Sequence, residues 1–432
     1  MRSPSRRPVR TALIGALLTG SLVATSAALV PTAAADGFDR SVHAKKGDRT
    51  PFAFRAVTYG SRVRGGDLPV SSGTTSYQGI GCTNVAGVDK HNSIGTAELP
   101  SLGQVSGVKT RAWTERANGV HSSYSTHEID RIVLHEDSFG QLAIKGLSSL
   151  ARAYHDAQGF HAVTETAVQS LVYTPTNGAP QVLSVPKPGQ PVIIPGVLEI
   201  HVGVEKTRAS SNHAKAIADV LDVKLLPTNT RVKIAHTAAQ IARGVKRGLF
   251  AGLSAATEVR ALNNLVHSGP QPLTRMPCQG TQGKVKGKDV AAVDLLPVIE
   301  VGAASTRQMG QQRPKRAFGY EEARIAQVDL GGGQLVITGI RGRANVERTR
   351  EGVTFDSKGT TIGSATVDGT EYSFPELDGL SIPGLVQIDT NVVTEMKSGL
   401  DVVAVRLTLL DGSGAVIDLG HARLLIAGSG LK

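Results

Sequence analysis

The sequence predicts a mainly β fold: two tandem, related antiparallel β-sandwich or barrel-like domains with a short helical connector between them. Three observations lead there. Aromatic residues are only 4% of the chain while glycines number 49, and Val, Ile, Thr and Ala abound, a composition suited to short strands joined by tight turns. Several runs alternate with a period of two, as in Val403, Val405, Leu407 and Leu409, which puts one set of side chains on a core and the other outward. The chain also repeats itself.

The repeat is carried by markers in the same order in both halves. Cys82 matches Cys278, and Thr110-Arg111 matches Thr306-Arg307. Gly140-Gln141-Leu142 matches Gly333-Gln334-Leu335, and Ile194-Pro195-Gly196 matches Ile382-Pro383-Gly384. Residues 220–226 match 404–410, and His236 matches His421. The offset shrinks from 196 residues at the cysteines to 185 at the histidines, as small loop deletions produce. Ordered matches of this kind indicate a tandem duplication.

In chain order, Arg2, Arg6, Arg7 and Arg10 precede an apolar stretch that ends in Ala33-Ala34-Ala35. This is the pattern of a secretion signal cut after Ala35. Residues 36–50 are polar and basic and are expected to form a flexible lead-in. The first copy then runs over 51–241 and the second over 277–432. Between them, Ile241, Val245, Leu249, Phe250, Leu253, Val259, Leu262 and Val266 are spaced almost as on a helix face, with alanines as filler. A helical connector is expected over 242–276, although Gly244, Gly248 and Gly252 weaken it. Asp368-Gly369 and residues 411–414 read as hairpin turns.

Without the four leader arginines, 43 basic residues face 36 acidic ones, a net charge of +7. That favours loose attraction to an anionic polymer or envelope. It argues weakly for nucleic acid, because no aromatic stacking platform is visible. Lys284, Lys286 and Lys288 lie among glycines in what reads as a solvated loop, and Arg307, Arg313, Lys315 and Arg316 form a second basic loop. These seven are the candidate contacts for an anionic cell-wall polymer or polysaccharide.

Catalytic motifs are poorly supported. His127-Glu128 and His135-Glu136-Asp137 lack the second histidine of a zinc-protease helix, since Arg131 and Phe139 stand there; both read as surface loops. Ser184 and Lys187 have the spacing of a Ser-x-x-Lys nucleophile, but Pro186, Pro188 and Pro191 make the segment extended. Gly252-Leu253-Ser254-Ala255-Ala256 is a poor nucleophile elbow within the expected helix, and Gly331-Gly332-Gly333 is a turn. His236 and His421 share a repeat position, which favours a structural role such as hydrogen bonding a loop over metal binding. No metal set and no cofactor is indicated. Cys82 and Cys278 are expected to form a disulfide between the copies; two free or intermolecular thiols are the alternative.

The Gly-Gln-Leu-x-Ile segments, the Ile-Pro-Gly strands, the hairpins ending in His236 and His421, and residues 56–63 resemble the actinobacterial choice-of-anchor P secreted proteins. The resemblance implies export, a β-rich extracellular domain and no assigned biochemical role. It also implies a C-terminal surface anchor, and here the chain departs, having no terminal apolar span with a basic tail. The expected function is therefore non-enzymatic binding or coating of the cell envelope or an external polymer. A secreted hydrolase with a site assembled from distant residues, or a structural surface-layer protein, is the alternative.

Overall fold

The computed structural model describes residues 47–431, except 66–69, 72–75, 100–102, 137–139, 188–189, 227–228, 262–265, 297–298 and 413. The leader at 1–35 and residues 36–46 of the lead-in lie outside the described residues. The rest of the lead-in is ordered, because the first strand starts at Asp48.

The first half holds β1 (Asp48–Gly65), β2 (Val70–Ser71), β3 (Gln78–Ala86), β4 (Asp89–Leu99), β5 (Gly103–Ala117), β6 (Val120–Glu136) and β7 (Gly140–Asp156). It continues with β8 (Gly159–Thr174), β9 (Gln181–Leu183), β10 (Val192–Ile194), β11 (Leu198–Ala209), β12 (His213–Leu225) and β13 (Thr230–Arg243). The second half holds β14 (Gly248–Ala261), β15 (Val266–Arg275), β16 (Lys286–Val290), β17 (Val293–Leu296), β18 (Ile299–Val301), β19 (Ala304–Gln312), β20 (Ala317–Leu330) and β21 (Leu335–Arg348). It ends with β22 (Val353–Asp356), β23 (Ser364–Val367), β24 (Thr370–Tyr372), a single turn of helix α1 (Phe374–Leu377), β25 (Ser381–Ile382), β26 (Val386–Met396), β27 (Gly399–Leu409) and β28 (Val416–Gly428). The fold is mainly β, and α1 is the one α-helix among the described residues.

The strands form three antiparallel sheets. A long sheet runs β10-β11-β12-β13-β1-β2-β15-β14-β28-β27-β26-β25, with β3 also on β1. One covering sheet, β4 to β9 in order, lies on its first half. The other, β16-β19-β20-β21-β23-β24 with β17, β18 and β22, lies on its second half. Ile129, Ile144, Leu171, Leu221 and Ile234 form the core between the first pair of layers, and Ile325, Ile337, Val405, Leu407 and Leu419 form that of the second. Each half is thus a sandwich. In each, the first and last strands lie side by side in equivalent register: Phe54 faces Ile241 and Tyr59 faces His236, while Phe250 faces Ile426 and Ala255 faces His421.

The expected helical connector is not there. Residues 242–276 complete β13, then form β14 and β15, the opening strands of the second sandwich. The helix-like spacing arises because β14 is buried on both sides, a situation that erases the period of two. Phe250 enters the second core, whereas neighbouring Leu249 packs with Ala53, Val245 and Cys278 at the seam between the halves. The glycines serve close approach: a Cβ on Gly248 would sit 2.5 Å from Ile426 Cγ2, and one on Gly252 would sit 2.7 Å from the Arg423 carbonyl oxygen. The Cys82–Cys278 disulfide closes the same seam with a Cα separation of 5.3 Å.

A transverse fold line crosses each half of the long sheet. In the first it passes through Gly203, Val220, Ala235 and Gly60, and in the second through Asn391, Ala404, Gly420 and Ala256, where the paired register is interrupted. Alternate strands carry a left-handed residue there: Gly203, Ala235, Asn391 and Gly420 have φ of 65°, 53°, 46° and 67°. Each strand spends one residue on the line, so the buried face changes parity across it. On β12, Ala214, Ala216 and Ala218 point inward before the line, and Leu221, Val223 and Leu225 after it.

The covering sheets touch the fold line differently in the two halves. The Ser149 hydroxyl donates to the Ala235 carbonyl at 3.0 Å in the first. At the equivalent place in the second, Gly342 lies so close to Gly420 that a Cβ would sit 1.7 Å from its carbonyl oxygen. The same closure is made by a side-chain hydrogen bond in one sandwich and by bare backbone in the other.

Candidate polyanion-binding face

The outer face of the second covering sheet is built by alternation. On β20 the buried Ala317, Ala323 and Ile325 turn Phe318, Tyr320, Glu322 and Arg324 outward. On β21 the buried Ile340, Ala344 and Val346 turn Arg341, Arg343, Asn345 and Glu347 outward. Register then places Arg343 beside Glu322, Arg341 beside Arg324 and Arg307 of β19 on the other side of Glu322.

Three arginines converge on Glu322. Arg324 Nε donates to Oε1 at 2.7 Å, and Arg341 Nε and Arg343 Nη1 donate to Oε2 at 2.8 Å each. Glu322 is 1% exposed. Burial alone pushes its carboxyl up, but the bonds from Arg341, Arg324 and Arg343 together outweigh burial and hold it below the ordinary value. One acid thus fixes three guanidiniums on a solvent-facing surface and leaves that cluster with excess positive charge.

Two hollows flank the cluster. One, of about 480 Å³, is lined by Arg324, Arg341, Asp289 and Ser305. The other, of about 340 Å³, is lined by Phe318, Tyr320, Arg343 and Asp356. The Arg343 guanidinium lies 3.9 Å from the Tyr320 ring centroid, and that of Arg316 lies 4.6 Å from Phe318.

The residues expected from sequence lie along one border of this face. Lys286 and Lys288 are on the edge strand β16, which corrects their assignment to a loop, and Lys284 is in the exposed turn before it. Paired strands do not form from a loop sequence, but β16 has a partner in β19, where Gly287 faces Arg307. Arg307, also expected in a loop, is on β19 and donates to Asp289 at 2.7 Å. Arg313, Lys315 and Arg316 occupy the β19–β20 turn, where Arg316 reaches Glu347 at 3.4 Å. Two basic groups separate in sequence therefore share one sheet. Arg324, Arg341, Arg343 and Tyr320 were missed; their signal is the outward set of an alternating strand.

The outer face of the first covering sheet is different. Across β5 to β8, Arg111, Trp113, Tyr124, Arg152, Tyr154 and His161 form a continuous stack. Trp113 and Tyr124 are nearly parallel at 4.5 Å. Asp89 binds Arg111 at one end and Asp156 binds His161 at the other. These aromatics meet across the strands, and their ring faces are turned toward one another and toward the arginines. They tie neighbouring strands of the sheet together.

The remaining chemical candidates are structural or incomplete. His127 is on β6, fully buried, and not in a surface loop; it faces inward with Ser125 and Ile129. The Ser254 segment is in strand β14, and its hydroxyl donates to buried Glu321 at 2.8 Å. Burial pushes the Glu321 carboxyl well above the ordinary range. Ser210 Oγ lies 2.8 Å from His213 Nδ1, but in an exposed turn and with no carboxylate behind the ring among the described residues. Thr58 Oγ1 and His127 Nδ1 meet at 3.2 Å inside the core. Neither contact joins nucleophile, histidine and acid in an open cleft. No group of three His, Cys, Asp or Glu poised to hold a metal occurs among the described residues, and none of their helices is long and apolar enough to cross a membrane.

The repeat histidines bind strand carboxylates, not a loop. His236 Nδ1 is 2.6 Å from Asp219, and His421 Nε2 is 2.7 Å from Asp401 with Glu258 at 3.2 Å. Burial pushes His421 down, but the bonds to Asp401 and Glu258 win and raise it to about 9. Burial, with a smaller push from His236, lowers His127 to about 3. The two act on opposite limbs of the stability profile. His421 contributes fully below its unfolded value near 6.5, and its contribution is lost as pH rises through about 9, an effect of about 3 kcal/mol. His127 resists protonation, so stability is lost as pH falls from near 6.5 toward 3, by up to about 5 kcal/mol. Urea unfolding between pH 4 and pH 10 is expected to show both limbs; His421→Gln should flatten the alkaline one and His127→Leu the acid one.

No family model, curated protein or solved structure matches the chain.

Proposed function

We propose that this is a secreted, non-enzymatic protein that binds an anionic polymer of the cell envelope through the outer face of its second covering sheet. The observation that carries the reading is the convergence of Arg324, Arg341 and Arg343 on a single buried acid between two hollows. Lys284, Lys286, Lys288, Arg313 and Lys315 add exposed charge along the border. Guanidiniums held in fixed orientation suit repeated phosphate or carboxylate groups better than mobile lysines do. The hydrophobic walls of Phe318 and Tyr320 supply contact area beside the charges. Export and envelope location follow from the leader pattern and from the resemblance to the choice-of-anchor P proteins.

The test is co-sedimentation of the purified protein with insoluble cell-wall material at low and high salt. Retention at low salt that fades above the physiological range is expected, because exposed charges are screened within about 10 Å at 0.1 M. The variant Lys284→Gln/Lys288→Gln/Arg313→Gln/Lys315→Gln should weaken that retention, and adding Arg324→Gln, the most exposed arginine on Glu322, should remove most of the rest. Failure to sediment at either salt rejects the proposal.

A further inference from the structure

A second group of cations, apart from the Glu322 cluster, forms no ion pair among the described residues. Arg208, Lys215, Gln240 and Arg55 face one another across β11, β12, β13 and β1 in a single row. Ala214, Ala216 and Phe54, their buried neighbours, point into the first core, so this row lies on the opposite side of the long sheet. The adjacent row, Lys206, Ile217, Ala238 and Val57, adds a fifth basic side chain when Arg275 is counted with the first, and brings no acid. The next row holds Asp219, which is bound by His236 and Lys233.

The second half contributes at the same place. Arg55 lies between Phe54, opposite Thr83, and Ala56, opposite Ile80, beside the irregular part of β3 that contains Cys82. The disulfide brings Cys278 there, three residues after Arg275. Arg275 and Lys215 are exposed, yet burial and then the Arg55 charge push both below their ordinary values. Lys286 of β16 is near enough to act with Arg208 and Lys215 on His213, which burial first and these charges next push down. The groups opposing Arg275 are Glu258 and the exposed Tyr77. Among the described residues, the side chains of Arg55, Lys215, Arg208 and Arg275 make no ion pair.

We propose that this seam between the halves is a binding site for a small, multiply charged oxyanion of phosphate type, held by Arg55, Lys215 and Arg275, with Arg208 and Lys286 at its margins. Unpaired like charges repel one another, and a ligand with several negative oxygens reverses that repulsion. Arginine forks from two strands meet phosphate oxygens in pairs, and Lys215 supplies a point charge between them. The site shares only Lys286 with the border of the envelope-binding face; Arg55, Lys215 and Arg275 lie outside that face.

Calorimetric titration of the full chain with inorganic tripolyphosphate at low ionic strength tests the proposal. One site per chain is expected. Arg55→Gln/Lys215→Gln should weaken binding about tenfold or more, while keeping or raising the melting temperature, since it removes repulsion. Lys284→Gln/Lys288→Gln/Arg313→Gln/Lys315→Gln should bind tripolyphosphate as the parent does, even if it no longer sediments with wall material. Loss of binding in that variant alone assigns the anion to the outer face and overturns the seam site. Absence of binding by the parent, or unchanged binding by Arg55→Gln/Lys215→Gln, overturns it too.

Discussion

Glu322→Gln is expected to remove about 3–5 kcal/mol of folding stability, the range for breaking a buried charged network by deleting one partner. The side chain is 2% exposed, whereas those of Arg324, Arg341 and Arg343 are 53%, 31% and 23% exposed. The amide keeps the shape of the carboxylate but presents one acceptor oxygen and an NH₂ that faces donors. Three guanidiniums then share a site with no negative charge. Urea unfolding at pH 7 gives the magnitude. The pH profile gives the sign: Glu322 is held below its ordinary value, so its contribution is present above the unfolded value near 4.3 and is lost as pH falls through the folded one. That part of the acid limb should be missing in the variant. A loss below about 1 kcal/mol would mean that the arginines are held by the sheet and not by the acid.

Cys82→Ser/Cys278→Ser is expected to cost about 5 kcal/mol on the chain-entropy account of a long closed loop. The bond spans 196 residues and ties equivalent positions of the two halves. Its loss also loosens the apolar seam of Ala53, Val245, Leu249 and Leu431. The halves should still unfold in one transition, because β1, β2 and β15 run through a shared sheet and Asn84 donates to the Ser429 carbonyl across the seam at 3.0 Å. Denaturant unfolding with and without reductant measures it. Equal midpoints for the parent and the double variant under oxidising conditions would show that the bond adds nothing.

The duplicated β architecture was legible because each marker has a partner. The turns around Asp368-Gly369 and the pairing of Cys82 with Cys278 were open to the same reading. β14 was not legible. Its two buried faces and its glycines imitate a weak helix, and only the partner strands explain Gly248 and Gly252. His127 was misplaced because the inward positions before it, Ser123 and Ser125, are polar and hide the core face of β6. At the candidate face, basic residues close in sequence were visible. The Glu322 cluster was not, since Arg341 and Arg343 are brought to it by register across a hairpin. The seam cations come from β1, β11, β12 and β15, and no window of sequence contains them together.

The Ile-Pro-Gly segments acquire a meaning from where they lie. They turn the hairpins β10–β11 and β25–β26, and β10 and β25 are the two ends of the long sheet. A sheet of that span would offer long rows of unpaired amides and carbonyls to any neighbouring molecule. Here each terminal strand is three residues or fewer. Proline follows immediately, and Pro191 also precedes β10. Proline cannot donate to a ladder, and strands this short cannot seed one. Molecules crowded on a common surface can therefore lie edge to edge without templating one another into a fibre, and the duplication that lengthened the sheet has placed a stop at both of its ends.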